Sequence, residues 1–322
     1  MATTHLITGG AGFIGSHLTE VLLARGDHVL ALDDLSTGSL DNIRGALGHP
    51  AYQFAEGSVS DTGTVGELAA QAQTVFHLAA AVGVQLIVEH PVHTIVTNVM
   101  GTEVVLDAAR QHGCRVVLAS SSEVYGKGAK VPFSEDDDVL LGPTSRSRWS
   151  YAASKMVDEF LALAYQREHG VSVIVARLFN TIGPRQTGHY GMVVPRLTRQ
   201  ALAGEPLTVY GDGTQSRCFC DVRDVVAALL GLAAHGDADG AVFNVGSTQE
   251  ITIDALARRI RALAASRSDI VYVPYDVAYA AGFEDMQRRV PDTARLSRLT
   301  GWQPRRSLDE TLHAVITYER GR

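Results

Sequence analysis

Tyr151 and Lys155 stand four residues apart in Tyr-Ala-Ala-Ser-Lys, which puts both side chains on one face if the segment is a helix. An ammonium beside a phenol, together with a positively charged hydride acceptor such as a nicotinamide, favours the phenolate, so the pair can take a proton from an alcohol while hydride leaves the same carbon. Such a pair needs a hydride acceptor nearby. The first apolar run leads straight into Thr8-Gly9-Gly10-Ala11-Gly12-Phe13-Ile14-Gly15, with Gly at 9, 12 and 15 ahead of an amphipathic stretch. Glycines so placed permit a tight turn, close backbone approach to a pyrophosphate and close packing of helix on strand, and the helix start offers unpaired N–H groups. Asp33 and Asp34 follow at the end of the second run. A carboxylate there accepts hydrogen bonds from a ribose diol and repels a 2′-phosphate, which favours NAD over NADP. Taken singly, each feature has a plainer reading: a turn, a surface acid, a decorated helix face. Strand, triplet, helix, strand and acid in that order, with the Tyr-Lys pair downstream, favour the catalytic one.

The elements that must position these residues read as an alternation. Short apolar runs at His5–Thr8, His28–Leu32, Ala51–Phe54, Thr74–Leu78, Arg115–Ala119 and Val171–Val175 are separated by helical patterns at Gly15–Arg25, Pro91–Gln111 and Ser150–His169. That rhythm predicts right-handed crossovers and an α/β, doubly wound parallel sheet. Residues 1–179 are expected to form a dinucleotide-binding (Rossmann) domain. After Phe179 come a loop at Asn180–Gly191, a helix at Met192–Ala203 and turns at Gly211 and Gly213. Val222–Ala233 and Val242–Val245, within 222–245, are expected to return to the first domain. The remainder of 180–322 forms a smaller, interleaved substrate lobe ending in a helix from about Leu308.

Among 322 residues, 46% are apolar and the formal charge is −7, which argues against a disordered chain or a dedicated nucleic-acid binder. Cys114, Cys218 and Cys220 show no zinc-ligand spacing, so no metal is expected and a reduced, cytoplasmic protein is. No signal peptide is expected from the first residues. The Leu78–Val88 apolar window is about half of a membrane span and belongs in a core.

Four segments together resemble the extended short-chain dehydrogenase/reductases, and more narrowly their nucleotide-sugar epimerases, dehydratases and decarboxylases. They are residues 8–15, Ser120-Ser121-Ser122-Glu123-Val124-Tyr125-Gly126, Tyr151–Lys155 and Asn180–Gln186. Thr208–Gly213, Arg217 and Leu299–Pro304 extend the resemblance over nearly the whole chain. It implies NAD used twice on a UDP-sugar, taking hydride from C4 and optionally returning it. Ser121 matches the Ser/Thr that shares the C4 hydroxyl proton with Tyr151. Simple 4-epimerases usually carry small residues at the next two positions and 4,6-dehydratases carry Asp-Glu. Ser122-Glu123 departs from both and is similar to the UDP-glucuronate decarboxylases, in which a C4 ketone makes a β-keto acid that loses CO2. Ser122 would bind the carboxylate, Glu123 would disfavour it, and Arg217 matches an arginine used near the diphosphate.

The rival is a UDP-glucuronate 4-epimerase, whose similar Gly-Pro-Arg-Gln segment places Arg185 to hold the carboxylate in the ring plane and suppress CO2 loss. His189 lies in the following loop. Other UDP-hexose 4-epimerases, dehydratases and a non-catalytic NAD sensor stand behind it. The resemblance also implies Asp34, Ser36 and Thr37 at the adenosine ribose, Ser58 and Val59 at adenine, Leu78, Ala79 and Ala80 beside the pyrophosphate, and Asn98 on the next helix. Lys155 would also hold the nicotinamide ribose. Asn180 and Arg217 would contact the diphosphate, Val194 and Tyr210 would enclose uracil, and Gln287 and Arg288 would close over the nucleotide. A homodimer through residues 91–111 and 150–169 is expected.

Overall fold

The computed structural model describes residues 2–82, 90–128, 130–188, 192–278 and 286–322. Seven strands form one parallel sheet: β1 (Thr4–Thr8), β2 (His28–Asp33), β3 (Tyr52–Glu56), β4 (Thr74–His77), β5 (Arg115–Ser121), β6 (Val173–Leu178) and β11 (Ala241–Val245). Their order is β3-β2-β1-β4-β5-β6-β11. Direction along the sheet reverses between β1 and β4, where the loops after adjacent strands diverge and leave a crevice at the carboxyl ends.

Side chains alternate across a strand, so neighbours in sequence enter opposite cores. Leu6, Val116 and Val173 pack with Val65 and Leu68 of α3 (Thr62–Ala69), Val105 and Leu106 of α4 (Pro91–His112), and Ala162 of α5 (Ser150–His169). Ile7, Val117 and Ile174 face the other way, onto Leu18 and Leu22 of α1 (Phe13–Ala24) and Val225 and Leu229 of α7 (Val222–Ala233). Between α1 and α3 lies a single helical turn, α2 (Leu40–Ile43).

A third cluster is separate from the sheet. Val194 and Leu197 of α6 (Val193–Ala203), Leu256 and Ile260 of α8 (Ile253–Leu263) and Val315 of α11 (Leu308–Arg320) enclose Leu207 and Val209. Short strands serve it: β7 (Thr181–Ile182) pairs with β10 (Cys220–Asp221), β8 (Leu207–Tyr210) with β13 (Ile270–Val273), and β9 (Ser216–Cys218) with β12 (Glu250–Thr252). The turn α9 (Tyr275–Ala278) follows β13.

Several boundaries move from those read in the sequence. The first helix starts at Phe13, because the glycine turn closes before Gly15, and the last strand of the first alternation runs Val173–Leu178. Leu296 of α10 (Ala294–Thr300) and Trp302 join the sheet-side core, where the Trp302 indole N–H donates to the Asp224 carbonyl at 2.9 Å. Part of 251–322 therefore packs on the sheet rather than in the small cluster. In the Leu78–Val88 window, Ala81 is buried, while residues 83–88 lie outside the described residues.

Candidate active site

A cleft of about 510 Å³ runs from the glycine turn to β5 and on to α6. Gly9 has φ +74°, and a Cβ there would lie 2.9 Å from the Ala79 nitrogen. At Gly15 a Cβ would come within 2.2 Å of the Gly9 carbonyl oxygen. The first turn of α1 can therefore press onto the strand loop only because Gly9 and Gly15 carry no side chain, and a helix start so placed offers N–H groups to an anion. Asp33 closes this end. Its carboxylate accepts the Ala11 N–H at 3.0 Å and the Leu35 N–H at 2.8 Å. Burial pushes its pKa up, against the pull of those hydrogen bonds. Asp34 is exposed and accepts from the Ser36 hydroxyl at 2.6 Å. This seat fits a dinucleotide. Gly15→Ala is expected to weaken NAD binding at least about tenfold, or ~1.4 kcal/mol, measured by titration calorimetry.

At the far end of the sheet-side cleft, β5 stops at Ser121, whose hydroxyl accepts the Glu123 N–H at 3.2 Å and bends Ser122–Tyr125 into a single 3-10 turn. That turn buries Glu123. A second 3-10 turn, Ser147–Trp149, runs into α5 and presents Arg148. Glu123 lies between the Arg148 guanidinium at 2.6 Å and that of Arg289 at 2.6 Å. Burial opposes ionisation, but Arg148, Arg289 and the field of Arg217 outweigh it and hold the Glu123 pKa at about 2. The stability this carboxylate adds is present above its ordinary pKa of 4.5 and is lost as pH falls toward about 2. Arg289 also reaches the Ser122 hydroxyl at 3.4 Å.

On α5, Tyr151 faces the Ser121 hydroxyl. Lys155, one turn along, is 2% exposed and pairs with Asp158 at 3.1 Å. Lys155 and a positive nicotinamide together are expected to lower the Tyr151 pKa; in the protein alone, burial and then the Glu123 charge push the phenol above its ordinary range.

A phenol, a hydroxyl and an ammonium at the end of a dinucleotide seat can move a proton at a carbon that loses hydride. Residues 5–246 match the NAD dependent epimerase/dehydratase family. The chain belongs to this family. This epimerase/dehydratase uses NAD as its cofactor. It is 43% identical over 317 residues to UDP-N-acetyl-alpha-D-glucosaminuronate decarboxylase of Bacillus cytotoxicus, covering 98% of this chain and 97% of that one. It is also 38% identical to UDP-glucuronic acid decarboxylase 1 of Danio rerio, covering 97% of this chain and 72% of that protein. Among solved structures it is similar to UDP-glucuronic acid 4-epimerase from Bacillus cereus in complex with UDP-glucuronic acid and NAD, at TM-score 0.89, 26% identity and 99% coverage of both chains.

The epimerase/dehydratase cleft is lined by most of the residues that its sequence singles out. Gly9, Gly12, Phe13, Ile14, Gly15, Asp33, Asp34, Ser36, Thr37, Val59, Leu78, Ala79 and Ala80 border its end at the glycine turn. Ser121, Ser122, Glu123, Tyr151, Lys155, Asn180, Arg185, Val194, Tyr210 and Arg217 border the rest. Four do not line it. Ser58 is exposed and its hydroxyl accepts the Ser60 N–H. Asn98 sits behind the wall, its amide accepting from Ala81 N–H at 2.8 Å and donating to Ser154 at 3.0 Å, so it braces the loop after β4 against α5. Gln287 gives its carbonyl to the Ser216 N–H at 2.9 Å. Arg288 is turned to Glu250 at 2.8 Å. One position further, Arg289 is the guanidinium that enters the site.

Arg148 and Arg289 were not legible in the sequence as site residues, since their meeting at Glu123 joins segments 25 and 166 residues away. Their only signal was an arginine immediately before the Trp-Ser-Tyr run and another within Gln-Arg-Arg. Arg185, with φ +69°, pairs with Glu20 of α1. His189 and the rest of 189–191 lie outside the described residues.

Proposed function

We propose that the protein is a UDP-glucuronate decarboxylase acting by C4 oxidation, β-keto decarboxylation and C5 protonation, with optional return of hydride to C4. The observation that carries the reading is Glu123, ionised between Arg148 and Arg289 at 2.6 Å each and set beside Ser121, Ser122 and Tyr151. The activities of the two relatives, both decarboxylases of UDP-linked hexuronates, support it.

Tyr151, as phenolate, takes the C4 hydroxyl proton with Ser121 sharing it, while the electron pair of the C4–H bond departs as hydride. NAD, when bound, supplies the hydride acceptor and the positive nicotinamide charge that favours the phenolate. Gly9, Gly12 and Gly15 seat its pyrophosphate, Asp33 its ribose diol, and Lys155 its nicotinamide ribose. With C4 a ketone, the C5–C6 bond can break: CO2 leaves, and the bonding pair becomes the C4–C5 enolate until C5 takes a proton. Three guanidiniums around one carboxylate leave the site positive, which admits an anionic sugar and stabilises the enolate. Glu123 at close range repels the substrate carboxylate and favours its loss as neutral CO2.

A 4-epimerase would need a cation fixing that carboxylate in the ring plane. Arg185, the candidate for this, lines the cleft but pairs through one guanidinium nitrogen with Glu20 of α1. The 43% identity to a decarboxylase of the 2-acetamido sugar makes that compound a second substrate to test. Incubating the protein with NAD and either UDP-hexuronate, followed by mass spectrometry, should show loss of one CO2. Unchanged mass with altered sugar stereochemistry would overturn the reading in favour of epimerisation.

The same proposal includes two lobes. Residues 1–179 with 222–245 form the NAD lobe, joined by the segment around Leu296 and Trp302, and the rest of 180–322 forms the substrate lobe. Val194 and Tyr210 are assigned to the uracil, and Asn180 and Arg217 to the diphosphate. It includes a homodimer, because Val92, Ile95, Val96 and Met100 of α4 and Val157 and Phe160 of α5 are exposed on two adjacent helices. Light scattering is expected to give twice the 34.5 kDa chain mass, and Phe160→Glu to halve it. Three buried free cysteines fit a reduced compartment, here taken as the cytoplasm. Among the described residues no helix is long and apolar enough to cross a membrane.

A further inference from the structure

Beneath the site a run of buried polar groups connects the dinucleotide seat to Lys155. The Ala79 N–H donates to the Thr8 hydroxyl at 3.3 Å, and that hydroxyl meets His77 Nδ1 at 2.8 Å. His77 Nε2 meets the Thr102 hydroxyl at 3.2 Å, Thr102 lies beside Asp158, and Asp158 pairs with Lys155 at 3.1 Å. Thr8, Thr102 and Asp158 are 0% exposed and His77 is 1% exposed. Burial keeps His77 neutral, its pKa lowered to about 3. If Thr8 donates to Nδ1 and the Nε2–H donates to Thr102, the Thr102 hydroxyl hydrogen is left for the Asp158 side, where the carboxylate oxygens have Lys155 as their counter-ion and no hydrogen-bond donor.

We propose that Asp158 is a positioning residue for the C4 chemistry: it anchors the Lys155 ammonium to α4 and diverts part of its charge from Tyr151. The proposal rests on the reading of Tyr151 and Lys155 as the proton-transfer pair. Without Asp158, Lys155 would be free to turn fully to the phenol and the cofactor, and Tyr151 would lose a repulsive negative charge. The other charged groups facing Tyr151 are Glu123 from the turn after β5, which acts with Asp158, and Arg289 from the 286–292 segment, which acts against it. Glu159 lies beside Asp158 on α5, and His77 of β4 faces Lys155.

The test is Asp158→Asn. The acid limb of the kcat/KM profile with UDP-glucuronate is expected to move by about one pH unit toward acid, because removing a nearby anion favours the phenolate. Asp158→Glu, which keeps the charge, should return the limb toward its native position. A second readout needs no turnover: tyrosinate absorbance in the near ultraviolet, taken as the difference from Tyr151→Phe, should shift the same way. If the Asn variant does not fold, Asp158→Ser, which admits a water beside Lys155, takes its place. A loss of rate at every pH with the limb unmoved, or no change at all, overturns the proposal. Full turnover by Tyr151→Phe overturns the underlying reading instead, and can be told apart because the Asp158 variants are not involved.

Discussion

Tyr151→Phe is expected to lower turnover of UDP-glucuronate by about 10³-fold or more, while leaving NAD and UDP-sugar binding within a few-fold of native. The phenylalanine ring fills the same buried space, so the change removes an oxygen without opening a cavity. What is lost is the acceptor for the C4 hydroxyl proton. Ser121 remains, but an aliphatic hydroxyl is far too weak a base to replace a phenolate that a lysine and a cationic ring help to form. The measurement is single-turnover reduction of bound NAD, followed by absorbance after mixing with substrate, alongside calorimetric titration of each ligand. A rate within tenfold of native would remove Tyr151 from the chemistry and leave the protein as a binder of its nucleotides.

Glu123→Gln carries the second large effect, with a signature in two quantities. Gln is nearly isosteric but neutral, so Arg148 and Arg289 keep their positions and lose their common counter-ion. Uncompensated buried charge of this kind costs about 3–5 kcal/mol, which should appear as a lower melting temperature at pH 7. The stability difference should shrink on acidification. The native carboxylate loses its advantage as pH falls from 4.5 toward about 2, whereas the Gln variant has no such group to titrate. Release of CO2 is expected to fall by about 100-fold, because the guanidiniums, in place but no longer neutralised by Glu123, hold the substrate carboxylate and resist its departure. Normal CO2 release by a folded Glu123→Gln protein would withdraw the reason for preferring decarboxylation to epimerisation.

The contrast between Arg217 and Arg289 shows where reading the chain stops. Arg217 sits in a recognisable segment, and it does line the cleft and act on Glu123, but its guanidinium also donates to the neighbouring Ser216 carbonyl at 2.7 Å. Arg289 lies in a stretch where two arginines are adjacent, and only the path of the backbone decides that the first meets Glu250 at the surface and the second meets Glu123 inside. Charge type is visible in a sequence. Which of two neighbouring cations is buried depends on the direction each Cα–Cβ bond takes out of an irregular segment, and no periodicity sets that.

Local rules carried the rest. The glycine spacing, the period-two strands and the i, i+4 Tyr-Lys pair are consequences of steric constraints acting over fewer than ten residues, so the sequence by itself determined the doubly wound sheet, the glycine turn and the helix that bears Tyr151 and Lys155. The tertiary structure alone decided which charges surround these two residues. Lys155 stands beside Tyr151 in the sequence as a lone cation; in the folded chain Asp158, Thr102 and His77 close around it while Glu123 approaches the phenol. Electrostatic energy in a buried site is set by distances among groups far apart in the chain and by the water that folding excludes. The motif specifies which groups can exchange a proton, and the packing around them sets how readily they do.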